Sequence, residues 1–166
     1  NLSVASGNTT YYSESNCIIE RETKTLVNGC KTSVIPADIL HIGDYAFNGM
    51  LCDSRLTFNT IADISLVIPA SVVSIGSCAF QGCDDLISVT LLGDITSIGA
   101  IAFNGCSNVL EYNFTSCTNV PSLGGISVFE GINTDCQIKV PKSLYEGWKA
   151  ANRWSEYADN IVAVDV

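Results

Sequence analysis

Basic residues are scarce, and none lies between positions 56 and 138. That stretch holds Asp63, Asp84, Asp85, Asp94, Glu111, Glu130 and Asp135, a formal charge of −7 within a chain total of −9. Binding a phosphate backbone or an anionic membrane needs Lys or Arg to displace counterions, so nucleic-acid and membrane-surface functions fit poorly. The acidity reads as a solubility device rather than a cation site. Charged residues make up only 15% against 47% apolar, which argues against disorder. No apolar run reaches the ~18 residues needed to cross a bilayer, so no transmembrane segment is expected. Residue 1 is Asn, and no signal-peptide pattern follows it. The chain therefore reads as a mature or truncated form.

Catalytic signatures are equally sparse. The single histidine, His41, sits just before the first repeat motif, at an ordinary surface or strand-end position. A Ser–His–Asp or Cys–His device would have to recruit it, and no nucleophile-elbow motif is present. No phosphate-cradling glycine loop or EF-hand loop occurs. No C-x-x-C pair suggests structural zinc. Asp84 and Asp85 are adjacent, and neighbours on an extended chain point apart. The sequence therefore predicts no enzyme activity, no cofactor and no metal.

What the chain does contain is repetition. Ile42-Gly43-Asp44-Tyr45-Ala46-Phe47-Asn48-Gly49-Met50 matches Ile75-Gly76-Ser77-Cys78-Ala79-Phe80-Gln81-Gly82-Cys83, and both match Ile98-Gly99-Ala100-Ile101-Ala102-Phe103-Asn104-Gly105-Cys106. The second and third copies are 23 residues apart, the first and second 33, so the first turn carries ten extra residues. A degraded fourth copy runs from Leu123-Gly124 to Val128-Phe129-Glu130-Gly131. Seven residues before each motif isoleucine stand Ile35, Ile68 and Leu91, and Phe114 follows one period after Leu91. Two residues earlier come Leu66, Val89 and Tyr112, a period-two alternation that predicts strands with one buried face. Pro36 and Pro69 fit the ends of such strands. The x-x-A-F-x-G segment suits a tight helical or 3₁₀ turn, with Phe filling the interior and Ala permitting close approach. One turn cannot bury these residues alone, whereas stacked turns make a continuous core.

The pattern L-x-x-V-x-L…I-x-x-I-G-x-x-A-F-x-G-C resembles the BspA-like leucine-rich repeats of bacterial surface and secreted proteins. Leu86, Val89, Leu91, Ile95, Ile98, Gly99, Ala102, Phe103, Gly105 and Cys106 form the best copy. The tail from Val140-Pro141 through Trp148, Trp154, Tyr157 and Ile161 is similar to the segment that closes many such proteins. The chain departs from the pattern at Met50, where Cys belongs, and in the ten-residue insertion. The resemblance implies a leucine-rich-repeat solenoid: a β-rich α/β right-handed superhelix with parallel strands, short 3₁₀ or helical turns opposite, and a C-terminal capping helix. It also implies a location outside the cytoplasm, extracellular, periplasmic or on the cell surface, and roles in adhesion or protein binding. It supplies no catalytic residues.

The 166 residues are expected to form one structural domain. Residues 1–10 are polar and loose. Residues 11–34 form an N-terminal hairpin cap, 35–138 the repeat array with a long insertion near 51–61, and 139–166 a C-terminal cap. Ser143 and Glu146 have capping-box spacing, which predicts a helix near 143–152 with Trp148 and Trp154 plugging the last turn. Of the eight cysteines, Cys83 and Cys106 occupy equivalent inward positions and read as small core residues. Cys17 and Cys30 flank the hairpin and are the favoured pair if a disulfide forms.

Outward positions on the parallel sheet, Ser65, Val67, Ser88, Thr90, Glu111 and Asn113, are the candidate contact surface for a protein partner on a host or neighbouring cell. A monomer is expected. Two rival readings are a spacer within a longer surface protein and a carbohydrate-binding accessory. The second would need exposed aromatics, for which Tyr11, Tyr12 and Phe58 are candidates.

Overall fold

The computed structural model describes residues 1–49 and 64–166. Its strands are β1 (Tyr11–Glu14), β2 (Cys17–Glu20), β3 (Thr25–Asn28), β4 (His41–Ile42), β5 (Ile64–Ile68) and β6 (Ser74–Ile75), followed by β7 (Leu86–Leu91), β8 (Ser97–Ile98), β9 (Glu111–Asn113), β10 (Ser122–Leu123), β11 (Gln137–Pro141) and β12 (Ile161–Val164). Among the described residues one short α-helix, α1, spans Tyr145–Ala150.

The strands form two sheets. Five run parallel in the order β12-β11-β9-β7-β5. The other sheet has the order β1-β2-β3-β4-β6-β8-β10. Its β1, β2 and β3 are antiparallel, and the rest are parallel. The motif isoleucines Ile42, Ile75 and Ile98 pair in one buried row that continues to Leu123. The sequence analysis assigned short helical or 3₁₀ turns to this side. Instead the Ser-Ile dipeptides form a second parallel ladder, and the x-x-A-F-x-G segments are turns without helix.

Between the sheets lies a ladder of rings. Phe47, Phe80, Phe103 and Phe129 stack at 5.1, 5.2 and 5.6 Å with interplanar angles of 7°, 5° and 1°. Tyr112 meets Phe103 and Phe129 edge-on at 5.3 and 4.8 Å. Fully burying each such side chain contributes about 1.5–3 kcal/mol. Cys83 and Cys106 take part in a second repeat-to-repeat link. Their thiols donate to the carbonyl of the Phe one repeat earlier, Phe47 at 3.5 Å and Phe80 at 3.1 Å.

Close stacking depends on the motif glycines. A Cβ on Gly99 would lie 2.5 Å from the Gly76 carbonyl carbon, and one on Gly76 would lie 2.6 Å from that of Gly43. Two residues on, Tyr45, Cys78 and Ile101 adopt positive φ of 58°, 55° and 64°. This conformation costs about 1–2 kcal/mol per non-glycine residue. It is held by donation from Tyr45 N–H to Ser77 O and from Cys78 N–H to Ala100 O, both 2.9 Å.

At the N-terminal end, β2 and β3 pair antiparallel, and β1 adds a third strand. No strand forms at Ile35, although the sequence pattern put one there. Val34 N–H instead donates to Ser15 O at 3.1 Å, and Ser33 Oγ donates to Asn16 O at 2.5 Å, which draws this segment toward the antiparallel strands. At the C-terminal end, Ser143 lies in a 3₁₀ turn, Lys142–Leu144, ahead of α1. The helix has no side-chain cap, so the capping-box pair does not start it. Trp148 and Trp154 are both fully buried and stand 4.5 Å apart, and Trp154 Nε1 donates to Pro121 O at 2.7 Å. The insertion near 51–61, with Phe58, lies outside the described residues.

Candidate interaction surface

Alternation along each strand of the five-stranded sheet sends one residue into the core and the next to the outside. Parallel register then aligns the outward residues of successive strands into rows. Ser65, Ser88, Glu111 and Gln137 form the first row, and Val67, Thr90, Asn113, Lys139 and Val162 the second. All six residues singled out from the sequence therefore meet on one sheet face. Gln137, Lys139 and Val162 extend the rows and were missed. Their repeats have lost the I-G-x-x-A-F motif, so spacing alone did not reach them.

The rows are knit by side-chain contacts. Ser88 Oγ donates to Ser65 Oγ at 2.9 Å. Lys139 Nζ pairs with Glu111 Oε2 at 2.7 Å, with both side chains about one-third exposed. Asn113 Nδ2 donates to Glu111 Oε1 at 3.4 Å, and its Oδ1 accepts from the Thr115 N–H and hydroxyl at 3.0 and 2.7 Å. A partly exposed ion pair of this kind contributes only about 0–1 kcal/mol to stability, so its charges remain cheap to redirect to a partner. Val67, at 50% exposure, supplies the apolar part of the patch. Near Glu111, burial pushes the Cys136 thiol up to about 12, with the Glu111 charge adding to the rise.

The remaining sequence candidates lie elsewhere. Cys17 and Cys30 are thiols in this structure, and the bond between them is not formed. The Cys17 thiol donates to Val34 O at 3.5 Å and the Cys30 thiol to Asn16 O at 3.9 Å. His41 Nδ1 lies 2.7 Å from Ser74 Oγ, a neighbour-to-neighbour contact on the second sheet. Tyr12 is covered by Arg21 and Lys24, whose charges stand 5.0 and 5.3 Å from its ring centre. No group of three metal-ligating side chains occurs among the described residues. Nor does any described helix have the length and apolar character to cross a membrane.

Comparison with known families adds one match. A family model described as a BspA type leucine-rich repeat region, in six copies, covers residues 54–147, more than half of the chain. No curated protein matches.

Proposed function

Because the chain belongs to the BspA-type leucine-rich repeat family, we propose that it is a non-catalytic protein-binding and adhesion module. It is exported to the cell surface or beyond. Its stacked repeats form a right-handed solenoid that presents the five-stranded face to a protein on a host or neighbouring cell. Leucine-rich repeats are often used for protein binding, and here the observation that carries the reading is the two continuous outward rows. Residues scattered over 98 positions of sequence, from Ser65 to Val162, share one face in unbroken register.

The composition of that face supports the same reading. It is built of small hydroxyl and amide side chains around two apolar residues, Val67 and Val162, and one ion pair, which suits a broad polar contact. The carbohydrate alternative would call for exposed aromatic rings grouped on one face; both tryptophans are buried, and the exposed Tyr11 and Tyr45 stand apart from the five-stranded sheet, on β1 and in the turn after β4.

The test is adhesion of the chain, immobilised on beads, to intact host and neighbouring cells. Ser88→Arg with Thr90→Arg places two long cations at the centre of the face, where neither wild-type side chain is part of the core. Adhesion should fall at least tenfold while the melting temperature stays within a few degrees. Unchanged adhesion would remove the face from the proposal.

A further inference from the structure

Two thiols meet at one end of the β2–β3 pair. Ile18 of β2 is opposite Asn28 of β3, so Cys17 and Cys30 both lie just beyond the same end of that register. Here residues 30–34 are stitched to the Ser15-Asn16 turn. The Cys17 thiol donates to Val34 O at 3.5 Å, the Cys30 thiol donates to Asn16 O at 3.9 Å, and Val34 N–H donates to Ser15 O at 3.1 Å. Each sulfur thus reaches across to the segment that carries the other. Ser33 Oγ touches both, lying 3.6 Å from Cys30 Sγ and within hydrogen-bond reach of the Cys17 thiol. One oxygen shared in this way leaves the sulfurs at most two hydrogen-bond lengths apart.

The two thiols are not equivalent. Cys17 is fully buried, whereas Cys30 alone among the described cysteines is only partly buried. Burial pushes the Cys30 thiol up, but the Thr32 and Ser33 hydroxyls outweigh it and the net shift is down. Burial pushes the Cys17 thiol up, and the nearby Cys30 adds to the rise. The thiolate is the attacking species in thiol–disulfide exchange. The reachable, more acidic Cys30 is therefore the first to react, and Cys17 stands close enough to finish the exchange.

We propose that Cys17 and Cys30 are a thiol pair that closes to a disulfide by exchange with a small disulfide of the glutathione class, and that closure fastens residues 30–34 to the N-terminal hairpin. The Cys30 thiolate attacks one sulfur of oxidised glutathione. A Cys30–glutathione bond forms, the glutathione S–S bond breaks, and one glutathione leaves as thiolate. The Cys17 thiolate then attacks Cys30 Sγ and displaces the second glutathione. Two protein protons are released, the protein is oxidised by two electrons, and the glutathione disulfide is reduced to two thiols. If the chain is exported as proposed above, it meets an oxidising compartment in which such a bond persists. The pair lies apart from the five-stranded face, and its test needs no partner protein.

The reduced chain is incubated with millimolar oxidised glutathione, its remaining thiols are alkylated, and it is digested with trypsin. Cleavage after Arg21 and Lys24 separates the two cysteines, so a link between them is read directly by mass spectrometry. The expected product is a Cys17–Cys30 crosslink free of glutathione and reversed by dithiothreitol. It closes a loop of 14 residues, from 17 to 30, and should raise the melting temperature by about 6–12 °C. Cys17→Ala should halt the exchange at a glutathione adduct on Cys30. Cys30→Ser, at a partly buried position that tolerates the change, should leave Cys17 unmodified. The inference is overturned by a wild-type chain that stops at the glutathione adduct or links either cysteine elsewhere. A crosslinked chain that melts no higher than the reduced one also overturns it, as does reaction of Cys17 in Cys30→Ser.

Discussion

Gly99→Ala tests the way the repeats stack. The added methyl carbon would sit 2.5 Å from the Gly76 carbonyl carbon and 2.8 Å from its oxygen, with the Ser77 amide nitrogen closer still. Ordinary carbon contacts need ~3.5–4.0 Å, so the two backbones must part by about 1 Å. Every obstructing atom is backbone, and that backbone is pinned. Gly99 N–H donates to Ile75 O at 2.8 Å, and Gly76 N–H to Ile42 O at 2.7 Å. Overpacking costs about 1–3 kcal/mol where side chains can yield. With none to yield here, a cost near the top of that range, about 3 kcal/mol, is expected. For a chain of this length that lowers the melting temperature by about 6–12 °C. Gly105→Ala is the matched control. Gly105 has φ of +75° and its nearest atom lies 3.7 Å from an added Cβ, so alanine there meets dihedral strain but only ordinary van der Waals contact. It should cost about 1–2 kcal/mol. Thermal and urea denaturation of both variants, followed by circular dichroism, measures the difference. The reasoning fails if Gly99→Ala is no more destabilising than Gly105→Ala.

Phe103→Ala removes a ring that stacks on Phe80 and Phe129, and urea unfolding should show a loss of about 3–5 kcal/mol. Cys30 should react with iodoacetamide well before Cys117 and Cys136, as peptide mass spectrometry of the native protein would show. Burial pushes Cys117 to about 11 and Cys136 to about 12. At Cys30 burial pushes the thiol up as well, but the Thr32 and Ser33 hydroxyls outweigh it and the net shift is down. The Asp94 carboxyl should titrate below the usual carboxylate range in an NMR pH series, because the Thr118 hydroxyl, the Thr118 N–H and Asn119 Nδ2 donate to it. A depressed folded-state value means stabilisation that is present above the unfolded value near ~3.9 and lost as pH falls through the folded one. Thr118→Val should therefore flatten stability against pH in that acid window.

The stacked array was legible because its period is written in residues that have one physical solution. Ile75 and Ile98 are 23 residues apart and pair directly, and Val89 and Tyr112 do the same on the other sheet. The face residues followed by alternation from these buried ones. The second ladder was not legible, because two-residue Ser-Ile strands are too short to show a period. Positive φ at Tyr45, Cys78 and Ile101 was hidden for the opposite reason, since nothing marks a tyrosine, a cysteine and an isoleucine as left-handed except their shared place in the repeat. At Ile35 the pattern misled. Ile35 is buried as the spacing required, yet its backbone belongs to the cap, because hydrogen bonds from residues 33 and 34 to Asn16 and Ser15 outcompeted the sheet. Ser143 and Glu146 misled similarly: the spacing is right, but the 3₁₀ turn at Lys142–Leu144 shifts the helix start beyond Ser143.

The most direct test of the binding face is photo-crosslinking from two positions on opposite sides of the molecule. Benzoylphenylalanine replaces Thr90, at the centre of the five-stranded face, or Thr96, which is exposed beside β8 on the other sheet. Each variant is bound to the adhering cells and irradiated. The expected result is a discrete protein adduct from position 90 and none from position 96. Adducts from position 96 alone, or equally from both, would contradict the assignment of the five-stranded sheet as the surface that meets the partner.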